Sequence, residues 1–260
     1  MFTLKEILEK TARKELTVEE AEKLLHMLAI AEIEGIAKID AGREHRNGIP
    51  EIVLAENKTA KDVVEISLRL FDETGHVIVS RCNPEYIVAL KKALPKDASL
   101  EVNEQARIAI LKKHGFVTKS TGGRIGILTA GTSDIPVAEE AKVVAKEMGC
   151  SVYSSYDVGV AGIHRLLGPL KDLMENDVDV IIVVAGREGA LASVVAGMVN
   201  VPVIAVPTSN SYGFGGKGVG TLMAMLQACS LGLAVVNIDA GVAAGGVATL
   251  IPNRAAKFRR

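Results

Sequence analysis

The chain has 260 residues, enough for one large or two ordinary domains, each able to bury a core of its own. A formal net charge of −1 lacks the excess of basic residues that nucleic-acid binding requires, so we predict no nucleic-acid partner. With no Trp and few Phe or Tyr, the core must be aliphatic, which favours parallel α/β packing over an all-β sandwich.

The cysteines and the start of the chain indicate a compartment. Three cysteines without CxxC spacing predict neither a zinc site nor a disulfide framework, and they favour a reducing environment. Charges throughout the first fifteen residues argue against a signal peptide, and no uninterrupted apolar run reaches membrane-spanning length. We therefore expect a cytoplasmic protein that does not bind a membrane.

The first part of the chain, residues 1–118, predicts a smaller N-terminal α/β domain. Thr17 and Glu20 have capping-box spacing, and apolar residues at helical spacing then predict a helix from Thr17 to Glu34. The charged loop from Asp40 to Glu51 can hold an anion through Arg43 and Arg46, although exposed arginines in loops usually contact only water. The remaining predicted elements are strands at 52–55, 76–80, 100–102 and 107–111, and helices at 4–10, 59–71 and 84–94.

The segment 112–123 is rich in charged residues, Thr, Ser and Gly, which indicates a domain boundary, and 119–260 forms the second predicted domain. Beyond the boundary, strands and helices alternate regularly. This alternation predicts a doubly wound parallel sheet, whose ligand crevice lies at the carboxyl ends of the strands. The predicted strands are 125–129, 152–155, 180–185, 203–206 and 234–238, and the predicted helices are 136–148, 164–175, 189–199, 219–229 and 242–250.

The segments that follow these strands carry polar residues and glycines. At the first of them, Pro136 opens a helix after a small-residue turn, where free N–H groups and the helix dipole stabilise an anion. Ser133 or Asp134 could instead serve only as a helix cap. The five segments are Gly131-Thr132-Ser133-Asp134, the loop ending in His164-Arg165, Gly186-Arg187-Glu188-Gly189, Pro207 to Gly218, and Asn237-Ile238-Asp239.

The glycine-rich segment after the fourth strand is not a standard nucleotide loop. Gly218 follows Lys217 where a Walker motif needs Ser or Thr, and none of the predicted strands ends in GxGxxG. A P-loop enzyme and a Rossmann dehydrogenase are therefore both excluded. Lys217 and its glycines can still hold an anion, and Asp239, polar among apolar neighbours at a strand end, is a candidate ligand contact.

Several of these motifs resemble those of a known enzyme class. Gly131–Asp134, His164-Arg165 and Val199-Asn-Val-Pro-Val-Ile-Ala-Val-Pro207 resemble the aminoimidazole ribonucleotide carboxylases and mutases of purine synthesis, which have a flavodoxin-like sheet. The whole chain, including Asp40-Ala-Gly-Arg-Glu-His-Arg-Asn-Gly-Ile-Pro-Glu51 and Cys229 ahead of Val235-Val-Asn-Ile-Asp-Ala-Gly241, is similar to the LarB family. Members of that family are carboxylase-hydrolases that begin the synthesis of the nickel-pincer nucleotide cofactor.

The resemblance implies a reaction and its participants. The substrate is nicotinic acid adenine dinucleotide; its pyridinium ring is carboxylated with CO₂ or bicarbonate as co-substrate, and its phosphoanhydride is hydrolysed. The products are pyridinium-3,5-biscarboxylic acid mononucleotide and AMP. No tightly bound cofactor is implied, Mg²⁺ is expected in the hydrolytic step with its ligands unassigned, and the assembly is a homo-oligomer, plausibly an octamer.

The same resemblance assigns roles to residues. Cys229 is the nucleophile that adds to the ring, and Glu188 is the general acid or base, so the two are expected to converge on one heterocycle. Asp40, Arg43 and Arg46 would hold the adenylate. The other substrate-binding assignments, drawn from the resemblance and from the turns described above, are Gly131, Thr132, Ser133, Asp134, His164, Arg165, Gly186, Lys217 and Asp239.

Simpler structural roles and other functions remain open at this point. A cysteine between a helix and a strand is more often a core residue than a nucleophile, as we expect for Cys82 and Cys150. Glu188 could complement a helix dipole, and His164 could cap a helix. One alternative function is an aminoimidazole ribonucleotide carboxylase or mutase, although Glu188 and Cys229 lie outside that pattern. Another is a non-catalytic dinucleotide-binding oligomer, which would need no reactive Cys229.

Overall fold

The structure, a computed structural model, describes residues 4–28, 31–33 and 37–259. These residues form two compact units. The N-terminal unit comprises the chain up to Val102 together with Ala109–Phe116, and the C-terminal unit comprises Asn103–Ile108 together with the chain from Val117 onward. None of the helices described is long and apolar enough to cross a bilayer.

The N-terminal unit contains a mixed four-stranded sheet and a separate two-stranded ribbon. The sheet has the order β3-β4-β6-β5, with β3 and β4 parallel and β4 and β6 antiparallel. The ribbon pairs β1 with β2 in antiparallel register. The elements are α1 (Leu4–Ala12), α2 (Val18–Leu28), β1 (Ala31–Ile33), β2 (Ala37–Ile39), α3 (Arg43–Asn47), β3 (Ile52–Leu54), α4 (Ala60–Thr74), β4 (His76–Ser80), α5 (Pro84–Ala93), β5 (Ala98–Asn103) and β6 (Ile108–Lys113).

The predicted start of α2 is confirmed and its predicted end is wrong. Thr17 and Glu20 exchange side-chain to backbone hydrogen bonds of 2.9 and 3.1 Å, which is the capping box. The helix ends at Leu28 instead of Glu34, a residue that lies outside those described. Ala31–Ile33 pairs with Ala37–Ile39 instead, because isoleucines favour strands and the intervening Gly35 is a poor helix former.

The helices of this unit begin where the sequence supplies a cap. Thr59 accepts the backbone N–H of Asp62, and Asn83 accepts that of Tyr86, as N-cap side chains do. Gly75 ends α4 in a left-handed conformation with φ +67°. The short α3, which lies in the predicted charged loop, was not predicted.

The C-terminal unit is the predicted doubly wound fold. Its five strands are all parallel in the order β11-β10-β9-β7-β8, the flavodoxin-like arrangement. Its elements are β7 (Arg124–Thr129), α6 (Ile135–Glu147), β8 (Ser151–Ser155), α7 (His164–Glu175), β9 (Val180–Ala185), α8 (Ala190–Ala196), β10 (Val203–Pro207), α9 (Val219–Leu226), β11 (Leu233–Val235) and α10 (Gly241–Ala256).

Helices cover both faces of this sheet. Ile181 and Val183 of the central β9 pack in one aliphatic core with α7 and α8, and Ile182 and Val184 pack in the other with α6 and α10. The whole of β9 is buried, which explains its continuous apolar sequence. At Gly241 a Cβ would lie 2.2 Å from the carbonyl oxygen of Val137, so only glycine lets α10 approach α6 here.

Candidate active site

A crevice of about 290 Å³ opens at the carboxyl ends of β7, β8, β9 and β10. This is the sheet edge at which the strand order reverses, where doubly wound folds bind their ligands. Of the predicted site residues, the crevice brings together Gly131, Ser133, Asp134, Arg165, Gly186 and Glu188. Its other lining residues are Ala130, Gly159, Val160, Ala161, Ala185, Arg187, Ala190, Leu191 and Asn210.

Asp134 lines this crevice and is almost fully buried, with 3% of its surface exposed. Its Oδ1 accepts hydrogen bonds from the hydroxyl of Thr208 at 2.7 Å and from the amide of Asn210 at 3.4 Å, and its Oδ2 accepts the backbone N–H of Gly131 at 2.9 Å. The amide of Asn210 also donates to the carbonyl of Ser133 at 2.8 Å. Asp134 stands at the N-cap position of α6, but its side chain does not cap that helix; it closes the preceding turn and ties the loop after β7 to the loop after β10.

The loop after β8 forms the second wall. The backbone N–H of Asp157 donates to the hydroxyl of Thr129 at 3.0 Å, and the Asp157 carboxylate pairs with Arg165 at 2.7 Å. A Cβ at Gly159 would lie 2.6 Å from the carbonyl oxygen of Ala130, so the loop can approach β7 this closely only with glycine. The charge of Arg165 is thus balanced by its own loop, and the exposed His164 begins α7 outside the crevice lining.

A tight turn after β9 presents Glu188 to the crevice. The N–H of Gly189 donates to the carbonyl of Gly186 at 3.0 Å, and Arg187 and Gly189 both have left-handed backbones, with φ +54° and +69°. The carbonyl of Arg187 accepts hydrogen bonds from the hydroxyls of Ser211 and Thr221. These contacts fix the turn, so the exposed Glu188 has a defined position at the rim.

Three predicted substrate-binding residues lie at the same end of the sheet but outside the crevice lining. Thr132 is exposed in the short 3₁₀ turn that contains Asp134. Lys217 is exposed, with φ +53°, in the segment that leads into α9. Asp239 accepts the backbone N–H of Ser209 at 2.9 Å and so stabilises the loop after β10.

Cys229 is exposed, so it is not the core residue that a cysteine in this position usually is. It lies between the end of α9 at Leu226 and the start of β11 at Leu233, on the amino side of the sheet. Its neighbour Ser230 donates to the carbonyl of Ser193 at 2.7 Å. Glu188 lines the crevice at the opposite edge, and Cys229 is not among the residues that line it. Within one subunit, the expected convergence of Cys229 and Glu188 does not occur.

The surface around Cys229 is apolar. From Gly218 to Ile238 the chain has no charged residue. Exposed apolar side chains on this stretch are those of Val219, Met223, Leu226 and Leu231. Exposed apolar side chains grouped on one uncharged segment are typical of a protein–protein interface.

In the N-terminal unit, the predicted adenylate-binding residues form local ion pairs. Arg46 pairs with Asp40, and this hydrogen bond raises the pKa of the Arg46 guanidinium. Arg43 pairs with Glu51 at 3.0 Å. The charged loop is thus cross-linked at the start and end of α3, with both arginines placed on one short segment.

Sequence reasoning assigned no role to Arg187 and Asn210, which line the crevice, or to Thr208, which donates a hydrogen bond to Asp134. A signal for them existed, because all three follow strands of the sheet at the rim. Their roles depend on contacts with other loops, which residue spacing does not reveal. Across the described residues, no three His, Cys, Asp or Glu side chains are grouped so that they could hold a metal ion.

Two family models match the chain. Residues 30–113 match a LarB/PurE-like N-terminal domain, and residues 124–257 match AIR carboxylase. The chain belongs to the AIR carboxylase family. The presence of both domains in this order is the LarB architecture, as the sequence motifs indicated.

Relatives of this LarB-type chain include one of similar length and two mutases. An uncharacterized protein of Methanocaldococcus jannaschii is 42% identical over 95% of this chain and 96% of its own length. An N5-carboxyaminoimidazole ribonucleotide mutase of Thermotoga maritima is 32% identical over 34% of this chain and 52% of the mutase. The corresponding mutase of Pyrococcus horikoshii is 29% identical over 46% of this chain and 67% of that protein.

Proposed function

We propose that this protein carboxylates the pyridinium ring of nicotinic acid adenine dinucleotide and hydrolyses its phosphoanhydride, giving pyridinium-3,5-biscarboxylic acid mononucleotide and AMP. The observation that carries the proposal is a LarB-type pair of domains in which an acidic residue, Glu188, lines a crevice at the carboxyl edge of the parallel sheet. The mutase relatives match 34% and 46% of the chain, whereas the two family models together also include a LarB/PurE-like N-terminal domain at residues 30–113.

The proposed chemistry uses one thiol and one carboxylate. The thiolate of Cys229 forms a bond to a ring carbon, which converts the electron-poor pyridinium into an electron-rich dihydropyridine. The ring then attacks CO₂ and forms the new carbon–carbon bond. Glu188 takes the proton from the carboxylated carbon, and the carbon–sulfur bond breaks, so that the electron pair returns to sulfur and the ring becomes aromatic again.

The turns of the crevice supply binding in this proposal. The backbone of Gly131 and Gly186, with Ser133 and Arg165, holds the carboxylates, ribose and phosphate, and Asp134 fixes the geometry of those turns. In the N-terminal unit, Asp40, Arg43 and Arg46 hold the adenylate. Thr132, His164, Lys217 and Asp239 remain proposed substrate contacts at the same rim. No step is assigned to a protein-bound metal.

The position of Cys229 adds a requirement to the proposal. Because Cys229 and the crevice lie at opposite ends of one sheet, the thiol must enter the crevice of a neighbouring subunit in a homo-oligomer. The uncharged apolar surface around Cys229 supports such an interface. The octamer expected from the family would supply these contacts.

The direct test is incubation of the full-length protein with nicotinic acid adenine dinucleotide, Mg²⁺ and labelled bicarbonate. We expect AMP and a labelled mononucleotide, and we expect both Cys229→Ser and Glu188→Gln to abolish carboxylation. Absence of both products from the unmodified protein would rule the proposal out. Conversion of N5-carboxyaminoimidazole ribonucleotide would establish the mutase alternative, and tight dinucleotide binding without any turnover would establish the alternative of a non-catalytic dinucleotide-binding oligomer.

Mixed oligomers test the shared site. Cys229→Ser and Glu188→Gln subunits, each inactive alone, are dissociated together and reassembled. A crevice that combines Glu188 of a C229S subunit with Cys229 of an E188Q subunit is complete, so carboxylation should reappear in the mixture. No recovery in mixtures that mass spectrometry shows to be mixed would place both residues in one subunit. A mixture of the unmodified protein with the double variant Cys229→Ser/Glu188→Gln measures the effect of reassembly itself.

A further inference from the structure

A stacked pair of side chains stands at the rim of the crevice. The guanidinium of Arg187 lies 3.6 Å from the centre of the Tyr212 ring and also donates a hydrogen bond to the Tyr212 hydroxyl. Arg187 lines the crevice, and Tyr212 is 72% exposed, so ligand can reach the pair. Cation–π stacking fixes the plane of the guanidinium and leaves its outer edge of N–H groups open.

The charges of the crevice single out Arg187. The oxygens of Asp134 accept protein donors, and Arg165 pairs with Asp157. Among the described residues, no carboxylate lies within ion-pair distance of the Arg187 guanidinium, whose side-chain contacts are those with Tyr212. The crevice therefore contains one arginine whose positive charge is not balanced by a protein carboxylate.

The backbone places this charge next to Glu188. Arg187 has a left-handed backbone, which is uncommon for a residue with a side chain and tends to occur at functional sites. Its carbonyl is held by Ser211 and Thr221, so the strained conformation is fixed by the surrounding loops. Arg187 and Glu188 are consecutive residues of one rigid turn, and both line the same crevice. A group bound by Arg187 lies near the carboxylate that we assign to proton transfer.

We propose that Arg187 binds a carboxylate of the substrate and that Tyr212 is the positioning residue that orients its guanidinium. The guanidinium is planar, and two of its outer N–H groups can pair with the two oxygens of a carboxylate on a flat ring. The identity of the ring rests on the proposed function, whereas carboxylate binding itself does not. An aromatic dicarboxylate therefore serves as a probe that needs no turnover.

The experiment is calorimetric titration of the full-length protein with isophthalate, a planar aromatic dicarboxylate, and separately with inorganic pyrophosphate. Loss of a charge-assisted, two-point contact in Arg187→Gln should weaken isophthalate binding by about ten- to a hundredfold. Pyrophosphate binding should change by less than about threefold, an order-of-magnitude bound for a contact that is not made. Arg187→Lys keeps the positive charge but lacks the paired N–H donors of the guanidinium, so it should give an intermediate loss of isophthalate affinity.

A control arginine and two Tyr212 variants complete the design. Arg254 also faces an aromatic ring, Phe258 at 5.9 Å, but it lies outside the crevice, so Arg254→Gln should leave isophthalate binding unchanged. Tyr212→Phe keeps the ring and should weaken binding less than Tyr212→Leu, which removes the stack. For a merely structural role of Tyr212, both variants would affect isophthalate and pyrophosphate alike.

Several results would overturn the inference. They are no isophthalate binding by the unmodified protein, equal affinity in Arg187→Gln, or a loss confined to pyrophosphate, which would make Arg187 a phosphate contact. Full affinity in Tyr212→Leu would remove the positioning role. Failure of the proposed function is distinguishable, because Arg187-dependent isophthalate binding without dinucleotide turnover would leave this inference standing and remove only the reaction.

Discussion

The hydrogen bond between Asp134 and Thr208 should contribute measurably to the stability of the crevice loops. Asp134 is buried, and its two shortest hydrogen bonds come from the Thr208 hydroxyl at 2.7 Å and the Gly131 N–H at 2.9 Å. Hydrogen bonds to a charged group contribute about 1.5–3 kcal/mol each. The substitution Asp134→Asn keeps one carbonyl oxygen and turns the other acceptor into a donor. We therefore expect it to lower the free energy of unfolding by at least about 1.5–3 kcal/mol.

Urea unfolding at neutral pH, followed by circular dichroism, measures this loss. Thr208→Val removes the hydroxyl with little change of shape and gives the second arm of a double-mutant cycle. If the two side chains interact as the geometry shows, the double variant should lose less than the sum of the single losses, with a coupling of about 1–2 kcal/mol. A coupling below about 0.5 kcal/mol would mean that the bond does not hold the two loops together.

Two further predictions concern the packing of the C-terminal unit. Burial alone would raise the pKa of Glu139, but hydrogen bonds from Lys142, Tyr156 and Asn103 lower it below its ordinary 4.5. This stabilisation is present above pH 4.5 and is lost as the pH falls through the lowered value, so Glu139→Gln should destabilise at pH 7 and converge with the unmodified protein in acid. A stability difference in urea unfolding that persists in acid would contradict this. Gly241→Ala places a Cβ 2.2 Å from a carbonyl of α6 and should cost about 1–3 kcal/mol in the same assay. Ala243→Ser, exposed on the same helix, is the control and should stay within about 0.5 kcal/mol; an equal loss in both variants would refute the packing argument.

The sequence predicts most of the fold because its strands are short aliphatic runs and its turns carry their own signals. The buried β9 is predicted at its observed bounds, and the caps at Thr59 and Asn83 start α4 and α5. The β1–β2 ribbon could not be predicted, because each strand has only three residues and pairing depends on contacts that a helical pattern also allows. The helix α8 ends at Ala196, before the predicted Val199, and the next residue is Gly197, a poor helix former.

The location of the crevice can also be predicted from the sequence, but the contacts of its side chains cannot. Residues that directly follow parallel strands meet at one edge of the sheet, which is why Gly131, Asp134 and Glu188 lie together. The binding partners of each side chain depend on how the loops pack. Only the structure shows that Asp134 is held by the loop after β10 and that Arg187 stacks on Tyr212.

The connectivity of a parallel sheet determines the positions of both Glu188 and Cys229. Their positions make the proposed reaction depend on assembly of a homo-oligomer. In a parallel sheet, each connection from strand to helix lies at the carboxyl edge, and each connection from helix to strand lies at the amino edge. Glu188 follows β9 and precedes α8, whereas Cys229 follows α9 and precedes β11. The chain order alone therefore puts the two groups at opposite edges of one subunit. A mechanism that uses both therefore draws them from two copies of the chain, and recovery of activity in mixed oligomers would show that Cys229 acts in the crevice of a neighbouring subunit.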